Sequence, residues 1–300
     1  MTNAIEIQSV TRAFGGSKAL DEVSLSVPDG SIVGLLGRNG AGKTTLMSLV
    51  AGQDRPSSGR VEVFGERPYE NESALSKVIF VRDNQRYPDR YDLQDVLRIA
   101  RAYAPNWSTD VAGELVEGLR IPRKAPIKKF SRGQLSAVAI VLGLASRAPV
   151  TLLDEPYLGL DVTARRFFHD VLLRDYAVHP RTIVLSTHLI EESEALFDRV
   201  VILDRGRLRL DVTSEEIPDQ AFVLSGPREA VDRLASSRTV LSSHTVPGLE
   251  SATILGTPDA SLRAEAGRGG VQVSFVSLQE LVAAFGADAP EPALTEGIRA

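Results

Sequence analysis

The chain has 300 residues, 43% of them hydrophobic and 24% charged, the balance of a globular protein long enough for more than one domain and not of a fibrous or low-complexity chain. It has no cysteine, which excludes disulfides, thiolate zinc sites and a cysteine nucleophile, and makes a reducing compartment the expectation. The net charge of −5 is uneven: residues 212–300 hold 12 acidic residues against six arginines and no lysine, while the rest is nearly neutral and lacks the basic run that draws proteins to nucleic acid.

The first residues, MTNAIEIQSV, carry no basic segment followed by an apolar one, so secretion is not expected. Apolar and polar residues alternate over 5–10 and over 23–27, each stretch closed by turn residues, as in half-buried antiparallel strands. Ser31 opens an apolar run over 32–36 that ends at Gly37, a strand buried on both faces; residues 44–51 follow with helical spacing. Similar buried runs at 150–153, 182–186 and 200–203, separated by helical periodicity, predict an α/β fold around a parallel sheet. Between them, residues 92–103 and 110–119 are amphipathic and are punctuated by Pro105, Pro122 and Pro126, a helical insertion over about 84–148. A boundary is expected near residue 212. Beyond it, 221–224 reads as a strand, 228–236 as a helix and 271–275 as a strand running into a capping box at Ser277 and Glu280, a small α+β domain over 213–288. The Pro-, Glu- and Ala-rich tail 289–300 is expected to be disordered. The longest strongly apolar stretches, such as 135–145, fall well short of the ~20 residues that span a bilayer.

One segment stands out chemically. Gly37-Arg38-Asn39-Gly40-Ala41-Gly42-Lys43-Thr44 fits G-x-x-x-x-G-K-[ST] between a buried strand and a helix, the context that identifies a P-loop. Its glycines let the backbone curl so that successive N–H groups face phosphate oxygens, and the helix N-terminus adds its dipole. Lys43 reaches the outer phosphates and Thr44 offers an oxygen to Mg2+. The buried run at 150–153 ends in Asp154-Glu155. A P-loop protein needs a carboxylate at the end of a neighbouring strand to hold the metal, which suits Asp154, and the next acid is placed to act on a water as general base. Phe130-Ser131-Arg132-Gly133-Gln134 opens the apolar helix over 135–145, with Ser131 as its N-cap.

Taken in order, the P-loop, residues 130–134, Leu152-Leu153-Asp154-Glu155-Pro156, Leu158-Gly159-Leu160-Asp161 and Ser186-Thr187-His188 resemble the ATP-binding cassette (ABC) ATPases over residues 4–212. Tyr103-Ala104-Pro105-Asn106-Trp107 and the non-glycine third signature residue, Arg132, are similar to the YtrB-like ATPases of bacterial drug and antibiotic exporters. The resemblance implies a P-loop NTPase cassette with a mixed-sheet core, an antiparallel β-subdomain and a helical subdomain. It also implies roles. Phe14, in Thr11-Arg12-Ala13-Phe14-Gly15-Gly16, matches the aromatic that stacks on adenine. Gly37, Arg38, Asn39, Gly40, Ala41, Gly42, Lys43, Thr44 and Thr45 hold ATP. Ser131, Gly133 and Gln134 match the signature that meets the γ-phosphate held by an opposite subunit, and Asp161 the acid that communicates across that interface. Lys43, Glu155 and His188 form the catalytic set, with His188 bonding the γ-phosphate; Thr44 and Asp154 hold the metal. The glutamine expected after residues 78–81 falls by spacing on Asp83, with Gln85 as the alternative for that metal or water position. His169, His179 and His244 read as structural.

The implied activity is hydrolysis of ATP with Mg2+ by a head-to-tail homodimer or heterodimer of cassettes at the cytoplasmic face of the cell membrane, driving a separate integral membrane permease in the export direction, with no nucleic-acid partner. Two alternatives are a soluble cassette acting on nucleic acid or the ribosome, and a regulatory cassette that binds ATP without hydrolysing it.

Overall fold

The computed structural model describes residues 2–82 and 85–287. The chain divides after Asp211 into two compact units. In the first, β1 (Asn3–Phe14) and β2 (Ser17–Pro28) form an antiparallel hairpin across Gly15-Gly16, both at positive φ (52° and 94°) as a tight two-residue turn requires. Strand β3 (Ile32–Leu36), fully buried, leads through residues 37–42 into α1 (Lys43–Val50). Strand β4 (Ser58–Val63) then pairs with the free edge of β1, giving a three-stranded sheet in the order β2-β1-β4.

After the short α2 (Glu72–Leu75) comes β5 (Val78–Arg82). The helical segment follows: α3 (Leu93–Tyr103), capped by an Asp92/Asp95 box, α4 (Thr109–Gly118), capped by Ser108, and α5 (Arg132–Ala145), capped by Ser131. Helix α3 buries one stripe, whereas α5 buries every residue from Ser136 to Ala145 and forms the inner helix. Strand β6 (Val150–Asp154), α6 (Val162–Val178), β7 (Thr182–Ser186), α7 (Ile190–Ser193), β8 (Arg199–Asp204) and β9 (Arg207–Thr213), whose last two residues run past the division, complete the unit. The second sheet has the order β5-β6-β7-β3-β8-β9, and its pairs from β5 through β8 are parallel. Leu46 and Met47 of α1 share one core with Ile5, Ile7 and Leu25 of the first sheet and Val33, Leu35, Leu152 and Val184 of the second, so α1 joins the two. The register sets Asp154 beside Ser186 and Ser186 beside Leu35. Three strand ends therefore meet, the place where open parallel sheets bind ligands.

The second unit contains β10 (Ala221–Pro227), α8 (Arg228–Ala235), β11 (Val240–Val246), β12 (Leu249–Leu255), α9 (Ala260–Arg268), β13 (Gln272–Phe275) and α10 (Leu278–Phe285). All its strand pairs are antiparallel and the sheet order is β11-β12-β10-β13. This is the split βαβ arrangement, in which each βαβ half receives a strand of the other half between its own two. Phe222, Leu224, Ala252 and Ile254 of the sheet pack on Val231, Leu234, Leu262 and Ala266 of α8 and α9. The β11–β12 hairpin and α9 were not anticipated. Strand β11 is an edge whose residues 243–246 are exposed, which leaves no alternation to read, and α9 buries only Leu262 and Ala266. The tail 289–300 and Asp83 lie outside the described residues.

Candidate functional site

The loop between β3 and α1 depends on glycine at two positions. Gly37 has φ 140°, and a Cβ there would stand 2.1 Å from the Leu203 carbonyl oxygen; Gly42, at φ 104°, would place one 2.6 Å from that of Ala19. Arg38, Asn39 and Gly40 form the exposed crest, and buried Ala41 anchors it, its N–H bonded to the Arg38 carbonyl at 3.1 Å. Lys43 folds back under the crest, 7% exposed, and donates from Nζ to the carbonyls of Gly37 (2.7 Å) and Arg38 (3.2 Å). Burial draws its ammonium below the usual lysine range, and the charges of Glu155 and Asp154 oppose that shift. Thr44 is exposed and Thr45 half-buried on the first turn of α1.

The carboxylate of Asp154, buried at the end of β6, is held on both sides. Oδ2 accepts from Thr44 Oγ1 and Oδ1 from Ser186 Oγ, each at 2.6 Å. Glu155, the next residue, turns into the left-handed region at φ 50°. Its N–H donates to both Oγ and the carbonyl of Ser186, each at 3.1 Å, which fixes that uncommon conformation. The Glu155 carboxylate is then free of the sheet and meets His188, whose Nδ1 lies 2.7 Å from Oε2. Lys43, Thr44, Asp154, Glu155 and His188 are thus brought together. Ser186 belongs with them. Sequence reasoning quoted it only as part of a motif, although a serine ending the strand next to an acid-ended one was the available signal.

The remaining predicted residues sit around this centre or apart from it. Ser131 Oγ accepts from the Gln134 N–H (3.3 Å) and Gln134 Oε1 from the Ser131 N–H (2.9 Å), a reciprocal cap of α5. Gly133 presses against the 158–161 loop: a Cβ there would stand 2.2 Å from the Gly159 carbonyl oxygen, and Gly159 has φ 81°. Asp161 caps α6, its Oδ1 accepting from the Ala164 N–H at 2.8 Å. Phe14, 51% exposed, lies at the hairpin end with the Arg12 guanidinium 4.2 Å from its ring centre, so it is no core residue. Gln85 is half-buried, its N–H 3.4 Å from the Arg82 carbonyl. Of the three histidines read as structural, His169 packs inside α6, bonded through Nε2 to the buried Tyr157 hydroxyl at 2.8 Å.

The donor set suits MgATP. A crest of glycine-rich backbone and a lysine facing it match a polyphosphate, and the hydroxyl of Thr44 with the carboxylate of Asp154 are the hard oxygen donors that Mg2+ takes alongside phosphate oxygens and water. Among the described residues no group of three or more His, Asp or Glu could hold a metal ion without such help.

A family model described as ABC transporter matches residues 20–158. The bacitracin transport ATP-binding protein BcrA of Bacillus licheniformis is 33% identical over 227 residues, 73% of this chain and 71% of that one. The chain belongs to the ABC transporter ATP-binding proteins. Among other relatives of this cassette, the ABC transporter ATP-binding protein YtrB of Bacillus subtilis is 27% identical over 216 residues, 72% of this chain and 74% of that one. The aliphatic sulfonates import ATP-binding protein SsuB 1 of Burkholderia lata is 35% identical over 209 residues, 70% of the cassette's chain; the match spans 64% of that importer protein's length. A solved structure of the ATP binding subunit of an ABC transporter, 26% identical, superposes with a TM-score of 0.64 over 71% of this chain and 91% of that one.

Proposed function

We propose that this cassette binds and hydrolyses ATP to drive a separate membrane permease. The observation that carries the reading is the set of contacts that ties Lys43 to the P-loop carbonyls, Asp154 to Thr44 and Ser186, and Glu155 to His188. In this reading the crest N–H groups and Lys43 bind the β- and γ-phosphates, and Thr44 and Asp154 hold Mg2+. When bound, the metal supplies Lewis-acid neutralisation of the phosphate charge. Glu155 orients a water for in-line attack on the γ-phosphorus and takes its proton on the carboxylate as the bond to the ADP oxygen breaks. His188, fixed against Glu155 Oε2, orients that carboxylate and faces the γ-phosphate. Phe14 offers its ring to the adenine, and Gln85 or Asp83 serves the water or metal.

The exposed Ser131 and the half-buried Gln134 of the signature suit a nucleotide held by a second cassette, giving a head-to-tail dimer, homodimeric or heterodimeric, that ATP closes and hydrolysis opens. Membership of the ABC transporter ATP-binding proteins is what supports a permease on a separate chain, with this one peripheral on the cytoplasmic face; among the described residues no helix is long and apolar enough to cross a membrane. The resemblance of Tyr103-Ala104-Pro105-Asn106-Trp107 and Arg132 to the YtrB-like exporter ATPases is the ground for export, while likeness to the sulfonate import protein supports the opposite direction; transport into or out of vesicles holding the permease decides between them. Residues 213–288 form an accessory domain of the cassette. The decisive experiment for the core reading is steady-state phosphate release by the purified chain. Glu155→Gln is expected to bind ATP, to lose hydrolysis and to accumulate an ATP-dependent dimer on sizing chromatography; hydrolysis that survives in Glu155→Gln refutes the assignment.

A further inference from the structure

The side chain of Arg165, on the first turn of α6, makes three bonds in two directions. Nε and Nη2 donate to the two carboxylate oxygens of Glu192 at 2.7 and 2.9 Å, and Nη1 donates to the Leu160 carbonyl at 2.6 Å. Glu192 lies on α7, four residues after His188. Leu160 immediately precedes Asp161 in the loop that Gly133 presses against. The same two segments are tied again inside the protein, where Ser193 Oγ donates to the buried Tyr157 hydroxyl at 3.2 Å. The guanidinium is only 14% exposed and its bidentate grip holds the Glu192 carboxyl below the usual carboxylate range. An isolated surface ion pair contributes little, but a planar fork that also satisfies a loop carbonyl fixes geometry that one ammonium could not.

We propose that Arg165 is a positioning residue for ATP hydrolysis, a clamp that sets the 158–161 loop against the His188 segment through Leu160 on one side and Glu192 on the other. The clamp rests on the ATPase reading above. It touches neither nucleotide nor metal; its effect reaches the reacting atoms through His188 and Glu155 at one end and through Asp161 at the other. Loss of the clamp therefore leaves nucleotide binding intact and lowers turnover.

The test uses the full chain, with phosphate release giving kcat and KM for MgATP and a fluorescent ATP analogue giving affinity. Arg165→Gln is expected to lower kcat about tenfold or more with KM and affinity within about twofold, since displacing a positioning group by about 1 Å costs up to ~100-fold. Arg165→Lys, able to serve Glu192 or Leu160 but not both, falls between it and the wild type. Glu192→Gln, at a partly exposed carboxylate where a folding defect is not expected, lowers kcat in the same direction, and the double variant Arg165→Gln/Glu192→Gln is no worse than Arg165→Gln alone because both act through one clamp. Unchanged kcat in all the variants, or losses that multiply in the double variant, overturn the clamp while leaving the ATPase reading standing. No hydrolysis by the wild type overturns that reading and the clamp with it.

Discussion

Replacing Ser186 by alanine separates two functions that its neighbours share. The Ser186 hydroxyl is completely buried and donates at 2.6 Å to Asp154, itself 6% exposed, while accepting from the Glu155 N–H at 3.1 Å. A hydrogen bond to a charged group contributes roughly 1.5–3 kcal/mol, and no water reaches this position to replace it. The Glu155 N–H keeps the Ser186 carbonyl, also at 3.1 Å, so that part of the loss is about 0.5 kcal/mol or less. Ser186→Ala is therefore expected to cost about 2–3 kcal/mol, seen as a lower urea midpoint at unchanged slope and as a Tm lower by about 5–10 °C for a unit of this size. Thr44→Ala removes an equally short bond to the other oxygen of the same carboxylate, but from an exposed position where water can take its place. It is expected to cost about 0.5 kcal/mol or less in stability and to raise the Mg2+ concentration needed for hydrolysis. Equal stability losses in the two variants, or a loss below about 0.5 kcal/mol in Ser186→Ala, refute the claim that the buried hydroxyl holds Asp154.

Three further outcomes follow from the same geometry. Gly133→Ala places a methyl 2.2 Å from a backbone oxygen and is expected to cost about 1–3 kcal/mol with reduced ATP turnover, whereas Gly113→Ala, in open space inside α4, stabilises by about 0.5–1 kcal/mol; urea titration of both compares a packed with a free glycine. Burial pulls His169 below its ordinary value of 6.5, with Glu192 and Asp170 opposing and Arg165 assisting, so the unfolded chain binds the proton first. Stability from this group is present above about 6.5 and is lost as pH falls through the lower folded value, so Tm measured against pH should fall less steeply below 6.5 in His169→Gln than in the wild type. At Glu155 the left-handed backbone costs about 1–2 kcal/mol that only glycine avoids, so Glu155→Gly should be more stable than Glu155→Ala by about 1 kcal/mol, although neither hydrolyses ATP; a more stable alanine variant contradicts the strain.

The α/β class and the core sheet were legible because periodicity reports burial. Residues 31–36, 150–153, 182–186 and 200–203 are apolar but for an occasional serine or threonine and carry no charge, and the strands they became are buried on both faces. The capping box of α10 and the Ser131 cap of α5 were legible because they join side chain and backbone only three residues apart; the Asp92/Asp95 box of α3 follows the same rule but was not read. What could not be read was anything set by register between distant strands. That Asp154 would lie beside Ser186, 32 positions later, depends on the order of β6 and β7 in the sheet. The reach of Arg165 to Glu192, 27 positions away, depends on where α6 starts relative to α7. The edge strand β11 and the weakly apolar α9 were missed for the opposite reason, since their own pattern carries too little burial to announce them.

The two adjacent acids at the end of β6 show how register becomes chemistry. In an extended strand consecutive side chains point to opposite faces, so Asp154 and Glu155 would not both act on one ligand. Their charges nonetheless both act on Lys43. The left-handed turn at Glu155 ends the alternation and swings the second carboxylate toward His188 while the first stays buried between two hydroxyls. Ser186 bonds to both residues, to the carboxylate of Asp154 and to the N–H of Glu155, so one buried side chain fixes an inward acid suited to a metal and an outward acid suited to a water. The different settings of two neighbouring acids therefore originate in the strand beside them rather than in their own sequence.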